Sequence, residues 1–341
     1  MKGPTALHLA SQNGYEKSVL LLLEKGADVN ATDFWNSTAL HKAAEDGKVK
    51  PAEELLKHGG DANLQDKWGY TPVHRSAENG HVNLLELLLK NSGDIKTVDR
   101  WKCTALMRAS QYGHYDCAKL LITSGSNVDD TDRWGFSAFL RACQNGHTRI
   151  ADLLLESGAN PNKTTREKTT SLMLASYGGF GDIIEMLLER KANPNVSMDK
   201  GLTALHFASQ KGHKGAIRIL ATHGASVDGA DQFGYTPLHK AAFHGHGECV
   251  KILLHMGAKH DTVDNQGYTP LLRALQNEHK HVEMIFNQYE AKKSLKSCVC
   301  GRIISSSPNT IETVCKDCKM MGLYAVSLPI NDDSRSAVHM V

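Results

Sequence analysis

The sequence predicts an all-α solenoid of nine stacked repeats with a short cysteine-containing tail. Two observations carry that prediction. The phrase Thr5-Ala6-Leu7-His8 returns at a fixed interval as Thr38-Ala39-Leu40-His41, Thr71-Pro72-Val73-His74, Thr104-Ala105-Leu106-Met107, Ser137-Ala138-Phe139-Leu140, Thr170-Ser171-Leu172-Met173, Thr203-Ala204-Leu205-His206, Thr236-Pro237-Leu238-His239 and Thr269-Pro270-Leu271-Leu272, with no insertion or deletion between copies. Eight of the nine copies also set a short apolar phrase, a glycine and a second apolar run in the same order. Self-similarity at one period marks a repeat architecture, because a single unit cannot bury its apolar face and needs its neighbours.

Each element of the unit follows from its residues. The first apolar phrase forms a short helix, closed by the column Gly14, Gly47, Gly80, Gly113, Gly146, Gly179, Gly212 and Gly245. Glycine takes positive φ cheaply, which suits a helix end. The second run, as in Leu84-Leu85-Glu86-Leu87-Leu88-Leu89, is apolar around most of its circumference and must be covered on more than one side. A second glycine usually follows (Gly59, Gly125, Gly158, Gly224), and then a polar stretch such as Asp61-Ala62-Asn63-Leu64-Gln65-Asp66-Lys67-Trp68-Gly69 that suits a tight turn. The unit is a helix, a turn, a second helix and an extended finger.

A period of about 33 residues with Thr-Pro-Leu-His-x-Ala at its start resembles the ankyrin-repeat family. The resemblance covers residues 1–290 as nine repeats and leaves residues 291–341 as a basic linker and tail. It implies a helix–turn–helix plus β-hairpin finger in every repeat. It also implies that the Thr and His of the phrase tie each repeat to the next, and that finger tips and the outward face of the first helix form a concave target-binding groove.

The chain departs from this pattern in its middle. The His of the phrase becomes Met107, Leu140 and Met173, which is expected to weaken the inter-repeat ties there, although Met and Leu pack in its place. Repeat six lacks the usual Asp before its finger, and its helix turn, Tyr177-Gly178-Gly179-Phe180-Gly181, is rich in glycine. A soft joint is expected at residues 163–181. Repeat one has no finger ahead of Thr5, so either it is itself the cap or further residues precede it in another form of the protein. Repeat nine carries Glu278 in the glycine column and a more polar second helix, as a C-terminal cap requires.

Composition excludes several function classes. With 39 Lys and Arg against 37 Asp and Glu, the net charge of +2 gives no global pull toward nucleic acid. Trp alternating with basic residues could stack bases, but a nucleic-acid partner is the weakest of three readings. No run of eighteen apolar residues occurs, so no membrane span is expected, and no signal-peptide core precedes the first repeat. The expected compartment is the reducing cytoplasm, with the nucleus as the alternative, and the expected state is a monomer. Cys103, Cys117, Cys143 and Cys249 stand singly inside repeats as small apolar fillers.

Eighteen His invite a search for catalysis or metal, but eleven recur in two columns, at the phrase and after the turn, and belong to the repeat. No nucleophile elbow, phosphate loop, dinucleotide fingerprint or zinc-protease motif is present, so no enzyme activity and no cofactor are expected. The exception is Cys298-Val299-Cys300 followed by Cys315-Lys316-Asp317-Cys318. Four Cys at this spacing could close a tetrahedral structural zinc site. The first pair has the less usual spacing, and the bland alternative is an unstructured tail.

The surface signal is stronger. All four Trp occupy one repeat position at the finger tip, Trp35, Trp68, Trp101 and Trp134, and Phe233 continues the column. Lys67, Arg100, Arg133 and Arg166 precede that position. A third column follows the phrase His and contains Arg75, Arg108 and Arg141. Equal positions in successive repeats form a ladder at about 8–10 Å spacing, and Trp and Arg dominate binding hot spots. Lys42 with Glu45 and Arg75 with Glu78 are i,i+3 pairs that solvate a helix. Arg108 and Arg141 face Gln111 and Gln144 at the same spacing and are expected to be free. The reading is a non-catalytic protein–protein interaction scaffold whose partner presents acidic and apolar groups. The alternative is an adaptor, such as a ubiquitin-ligase substrate receptor, whose tail binds zinc and recruits a second component.

Overall fold

A computed structural model describes residues 3–296 and three short strands between residues 304 and 329, with side chains described for residues 3–293. Eighteen helices follow one another in nine antiparallel pairs: α1 (Ala6–Gln12) with α2 (Glu16–Glu24), α3 (Ala39–Glu45) with α4 (Val49–Lys57), α5 (Pro72–Glu78) with α6 (Val82–Lys90), α7 (Ala105–Tyr112) with α8 (Tyr115–Thr123), α9 (Ala138–Asn145) with α10 (Thr148–Glu156), α11 (Ser171–Gly178) with α12 (Gly181–Glu189), α13 (Ala204–Lys211) with α14 (Lys214–Thr222), α15 (Pro237–Phe243) with α16 (Gly247–His255), and α17 (Pro270–Gln276) with α18 (Lys280–Lys296). First helices pack on first helices and second on second, and one apolar core runs between the two layers from Leu7 to Phe286. The strands β1 (Ile304–Ser307), β2 (Thr310–Glu312) and β3 (Leu328–Pro329) pair antiparallel in that order. Cys298, Cys300, Cys315 and Cys318 lie outside the described residues.

The phrase Thr starts each first helix. In α5, Thr71 is the N-cap and its Oγ1 accepts from the His74 amide. His74 Nδ1 in turn accepts from the Thr71 amide at 3.3 Å and from its hydroxyl at 2.9 Å. With Nδ1 occupied as an acceptor, Nε2 carries the proton and donates to Cys103 O of the next repeat at 3.1 Å. The same reach joins His8 to Ser37 O, His41 to Tyr70 O, His206 to Tyr235 O and His239 to Tyr268 O. Met107, Leu140 and Met173 are buried in the equivalent place, so repeats four to six keep the packing and lose this tie.

Glycine is required after the first helix for two reasons. Gly113 caps α7 in the left-handed region at φ +84°, and a Cβ there would stand 2.6 Å from the His147 ring of the next repeat. That ring sits close because its Nε2 donates to Gln111 O at 3.0 Å. The turn His column is therefore a second set of inter-repeat ties. In repeat six Phe180 takes that position, and its ring lies where a Cβ on Gly178 would be. The glycine-rich turn of repeat six thus makes room for Phe180.

Fingers close as tight turns, with the Asp66 amide donating to Tyr70 O at 2.8 Å and the Gly69 amide to Asp66 O at 2.9 Å. They also bond side by side: Lys67 N to Trp35 O, Arg100 N to Trp68 O, Arg133 N to Trp101 O and Arg166 N to Trp134 O. Among the described residues this series stops between repeats six and seven, where Asp199 N and Glu167 O carry no such bond, and resumes as Gln232 N to Lys200 O. Asn162 makes no bridge to the next repeat, unlike Asn30, Asn63 and Asn195. Beside the packing of α11 on α13 and α12 on α14, the polar ties that remain are the His213 bond to Tyr177 O at 3.0 Å and the Lys168–Asp199 ion pair at 2.7 Å. Native-state amide exchange should accordingly be faster over residues 163–202 than over residues 97–136, which keep the finger bond. Equal protection of the two stretches would remove the joint.

At the C-terminal end α18 is 17 residues long where α16 has 9, and it runs past Glu290. Val282 and Phe286 are buried against the stack while Met284 is exposed, so one side of this helix faces solvent. Cys103, Cys117, Cys143 and Cys249 are buried, and burial pushes the Cys117 thiol up to about 12. They are core fillers without thiolate character.

Candidate protein-binding face

Asp66 organises its finger. Its Oδ1 accepts from the Trp68 amide at 2.8 Å and the Tyr70 amide at 2.9 Å, which fixes the turn, and its Oδ2 accepts from Arg75 at 2.7 Å. The Asp side chain is fully buried and the Arg is 18 % exposed. The unit repeats as Asp33–Lys42, Asp99–Arg108, Asp132–Arg141, Asp231–Lys240 and Asp264–Arg273. Every cation lies nine residues after its Asp, on the outward face of the first helix.

This arrangement corrects the expectation that Arg108 and Arg141 are free. Arg108 is 8 % exposed, bonded to Asp99 Oδ2 through Nε at 3.1 Å and through Nη2 as well. Burial opposes its charge, yet the Asp99 bonds prevail and raise its pKa. Arg141 binds Asp132 and also reaches Gln144 at 3.1 Å. Arg75 is likewise held by Asp66, with Glu78 a weaker second partner at 3.8 Å. These three Arg serve the finger's structure, and the buried carboxylate neutralises them. An i,i+3 search could not find the partner, which sits nine residues upstream. The signal was present all the same, because the chain carries a cation at the later position wherever the finger begins with Asp.

The Trp column divides. Trp35 and Trp134 are 44 % and 47 % exposed, and Phe233 is 54 % exposed. Trp68 and Trp101 are half-buried. Trp68 stacks on Trp35 at 5.4 Å, and Lys67 Nζ lies 3.5 Å from the Trp35 ring centre and 4.6 Å from that of Trp68. Trp101 packs on the core and meets Tyr70 edge-on at 6.3 Å, with the Arg108 guanidinium 5.5 Å from its ring. Arg100, Arg133 and Arg166 are exposed, and no carboxylate among the described residues pairs with them. The free cations of this face therefore stand on the fingers, and the Arg133 guanidinium lies 5.8 Å from the exposed Trp134 ring.

Repeats six and seven break the pattern at both positions together. Thr165 and Met198 replace the Asp, and Leu174 and Phe207 replace the cation. Thr165 Oγ1 still accepts from the Thr169 amide at 3.1 Å. Tyr177, 49 % exposed, meets Phe207 edge-on at 6.1 Å across the junction. Sequence reading noticed the missing Asp of repeat six and missed its apolar counterpart.

The repeat unit, its paired helices and its fingers match the descriptions Ankyrin repeats (3 copies) over residues 40–132, 106–198, 172–264 and 229–297, and Ankyrin repeat over residues 2–34. The chain belongs to the ankyrin-repeat family. Ankyrin repeats are in general protein–protein interaction modules. Among solved structures, the ankyrin chain is similar to the human ASB11 ankyrin repeat domain, with a TM-score of 0.59 and 26 % identity, over 63 % of this chain and 98 % of that one. No curated protein sequence matches it. Among the described residues of this ankyrin stack no group of three or more His, Cys, Asp or Glu could hold a metal ion, and no helix is long and apolar enough to cross a membrane.

Proposed function

We propose that this ankyrin stack is a non-catalytic recognition scaffold that holds a protein partner on its concave face and finger tips, in the cytoplasm or nucleus. The observation that supports this reading is the finger edge, which carries the exposed rings of Trp35, Trp134 and Phe233 and the unpaired cations Arg100, Arg133 and Arg166, with the Arg133 guanidinium 5.8 Å from the Trp134 ring centre. A soluble surface seldom keeps aromatics outward in register with unpaired Arg unless something binds there. The partner complements this edge with acidic and apolar groups, since charge of the opposite sign steers encounter and fixes register. The adaptor reading depends on the four tail cysteines, which lie outside the described residues, so the finger edge carries the proposal.

Proximity labelling in cells, followed by affinity measurement on the purified partner, tests it. Trp134→Ala should leave the urea unfolding midpoint nearly unchanged and weaken binding by about 2 kcal/mol, the size of a hot-spot loss. Trp101→Ala, by contrast, should lower stability, because its ring packs on the core and under Arg108. If Trp35→Ala, Trp134→Ala and Arg133→Glu all return the wild-type labelling pattern and affinity, the finger edge is not the recognition surface.

A further inference from the structure

We propose that the interruption of the Asp–cation ladder at repeats six and seven is a docking window for an extended acidic segment of a protein partner, which inserts an apolar side chain against Leu174, Tyr177, Met198 and Phe207. The inference deepens the concave-face reading and rests on it.

The window is defined by its flanks. On the N-terminal side Asp132 neutralises Arg141, and on the C-terminal side Asp231 neutralises Lys240 at 2.9 Å. Between them the concave wall changes from compensated ion pairs to hydrocarbon over two consecutive repeats. Both members of each pair are lost together, so no carboxylate or cation is left buried and unpartnered. Tyr177, 49 % exposed, meets Phe207 edge-on at 6.1 Å here, and Leu174, Met198 and Phe207 are half-buried.

The unpaired charge around the window is predominantly positive. Lys211 Nζ lies 4.4 Å from the Tyr177 ring centre, and Arg166, Lys200 and Lys211 are exposed with no acidic partner among the described residues. Of the nearby acids, Asp199 is held by Lys168 and Glu167 alone is unpaired. Three cations against one carboxylate around an apolar floor complement a segment that carries acids beside an aliphatic or aromatic side chain. The backbone adds to the fit, because Asp199 N and Glu167 O lie at this junction without hydrogen-bond partners among the described residues. Two repeats span about 20 Å, which about six extended residues cover at roughly 3.3 Å each.

The test uses the full chain and a phage-displayed library of random peptides, selected on wild type and scored on variants. One variant rebuilds the ladder with Thr165→Asp, Leu174→Arg, Met198→Asp and Phe207→Arg, the residue types the flanking repeats already use. Enriched peptides should be acidic with at least one large apolar residue. They should bind this variant at least about tenfold more weakly, a loss of the size seen when an anchor is removed. A second variant, Lys200→Glu with Lys211→Glu, changes only exposed side chains and should weaken the same peptides by at least about tenfold, which covers the case in which the rebuilt ladder does not fold. Trp35→Ala should leave them unaffected. If enriched peptides bind both variants as tightly as wild type, the window is overturned while the concave-face reading stands. Peptides without acidic residues overturn the window as well. If nothing enriches, the window is overturned, and the concave-face reading is decided by the Trp35→Ala, Trp134→Ala and Arg133→Glu measurements.

Discussion

Asp99→Ala is expected to destabilise the stack by about 3–5 kcal/mol, the cost of removing one partner of a buried ion pair. The carboxylate does three things at once. Its Oδ1 accepts from the Trp101 and Cys103 amides at 2.8 and 2.9 Å, and its Oδ2 holds Arg108. Removing it leaves two finger amides without their acceptor and a guanidinium at 8 % exposure without its counter-charge. The gain from a smaller side chain is negligible beside these losses. Asp99→Asn keeps the Oδ1 acceptor and loses the charge, so it should fall between wild type and alanine. Asp33→Ala is the internal control. It removes the equivalent turn bonds, but its partner Lys42 is 3.5 Å away and 19 % exposed, so water can take up the cation and the cost should be smaller. Urea unfolding of the three variants reads the ranking directly. Equal losses for Asp99→Ala and Asp33→Ala would mean that the ion pair contributes nothing beyond the turn.

The same comparison shows what the sequence makes legible. Helix pairing, the glycine turns and the His ties recur at a fixed spacing, and each follows from short-range chemistry that repetition makes visible. Trp exposure does not recur. Trp134 is exposed while Trp101 is half-buried, because Tyr70 of the preceding repeat and Arg108 of its own repeat close on Trp101, and Cys103 stands in the place of Tyr70 before Trp134. That difference depends on neighbours in adjacent repeats, which a column of like residues cannot reveal. The partner of Arg108 is hidden in the sequence for a related reason. A helix presents neighbours three and four apart, whereas the finger turns back and brings Asp99 onto Arg108 from nine residues upstream. The interruption of the finger series was half legible. The absent Asp of repeat six pointed to residues 163–181, while the missing finger bond places the gap between Glu167 and Asp199.

Stability is expected to collapse in mild acid, and unevenly along the stack. Burial holds the His41, His74 and His206 imidazoles at about 4, well below the ordinary value near 6.5, although their carbonyl bonds and nearby Asp66, Asp99 and Asp231 pull the other way. His239 is lowered for the same first cause. The Nδ1 of each is already an acceptor for the capping Thr, so a second proton would break the cap as well as charge the core. A folded-state pKa below the unfolded one means that the unfolded chain binds more protons between the two values. The stabilisation is complete above about pH 6.5 and is lost as pH falls toward 4, at up to about 1.4 kcal/mol per His per pH unit. Three such residues give a slope near 4 kcal/mol per unit, against a total of about 5–15 kcal/mol for an ordinary domain. Repeats four to six carry Met107, Leu140 and Met173 at this position and lack the term. Unfolding on acidification should therefore begin in α3 to α6 and α13 to α16, with α7 to α10 protected longest in hydrogen exchange after correction for the intrinsic rate. His74→Met, a replacement the chain itself makes in repeat four, should cost stability at pH 7.5, where the tie to Cys103 O is lost. By pH 5 the same substitution should cost far less or turn stabilising, because the proton penalty goes with the ring. A urea midpoint that stays flat from pH 7.5 to 5, or a His74→Met cost that does not change over that range, would show that these rings take up no proton penalty in the folded stack.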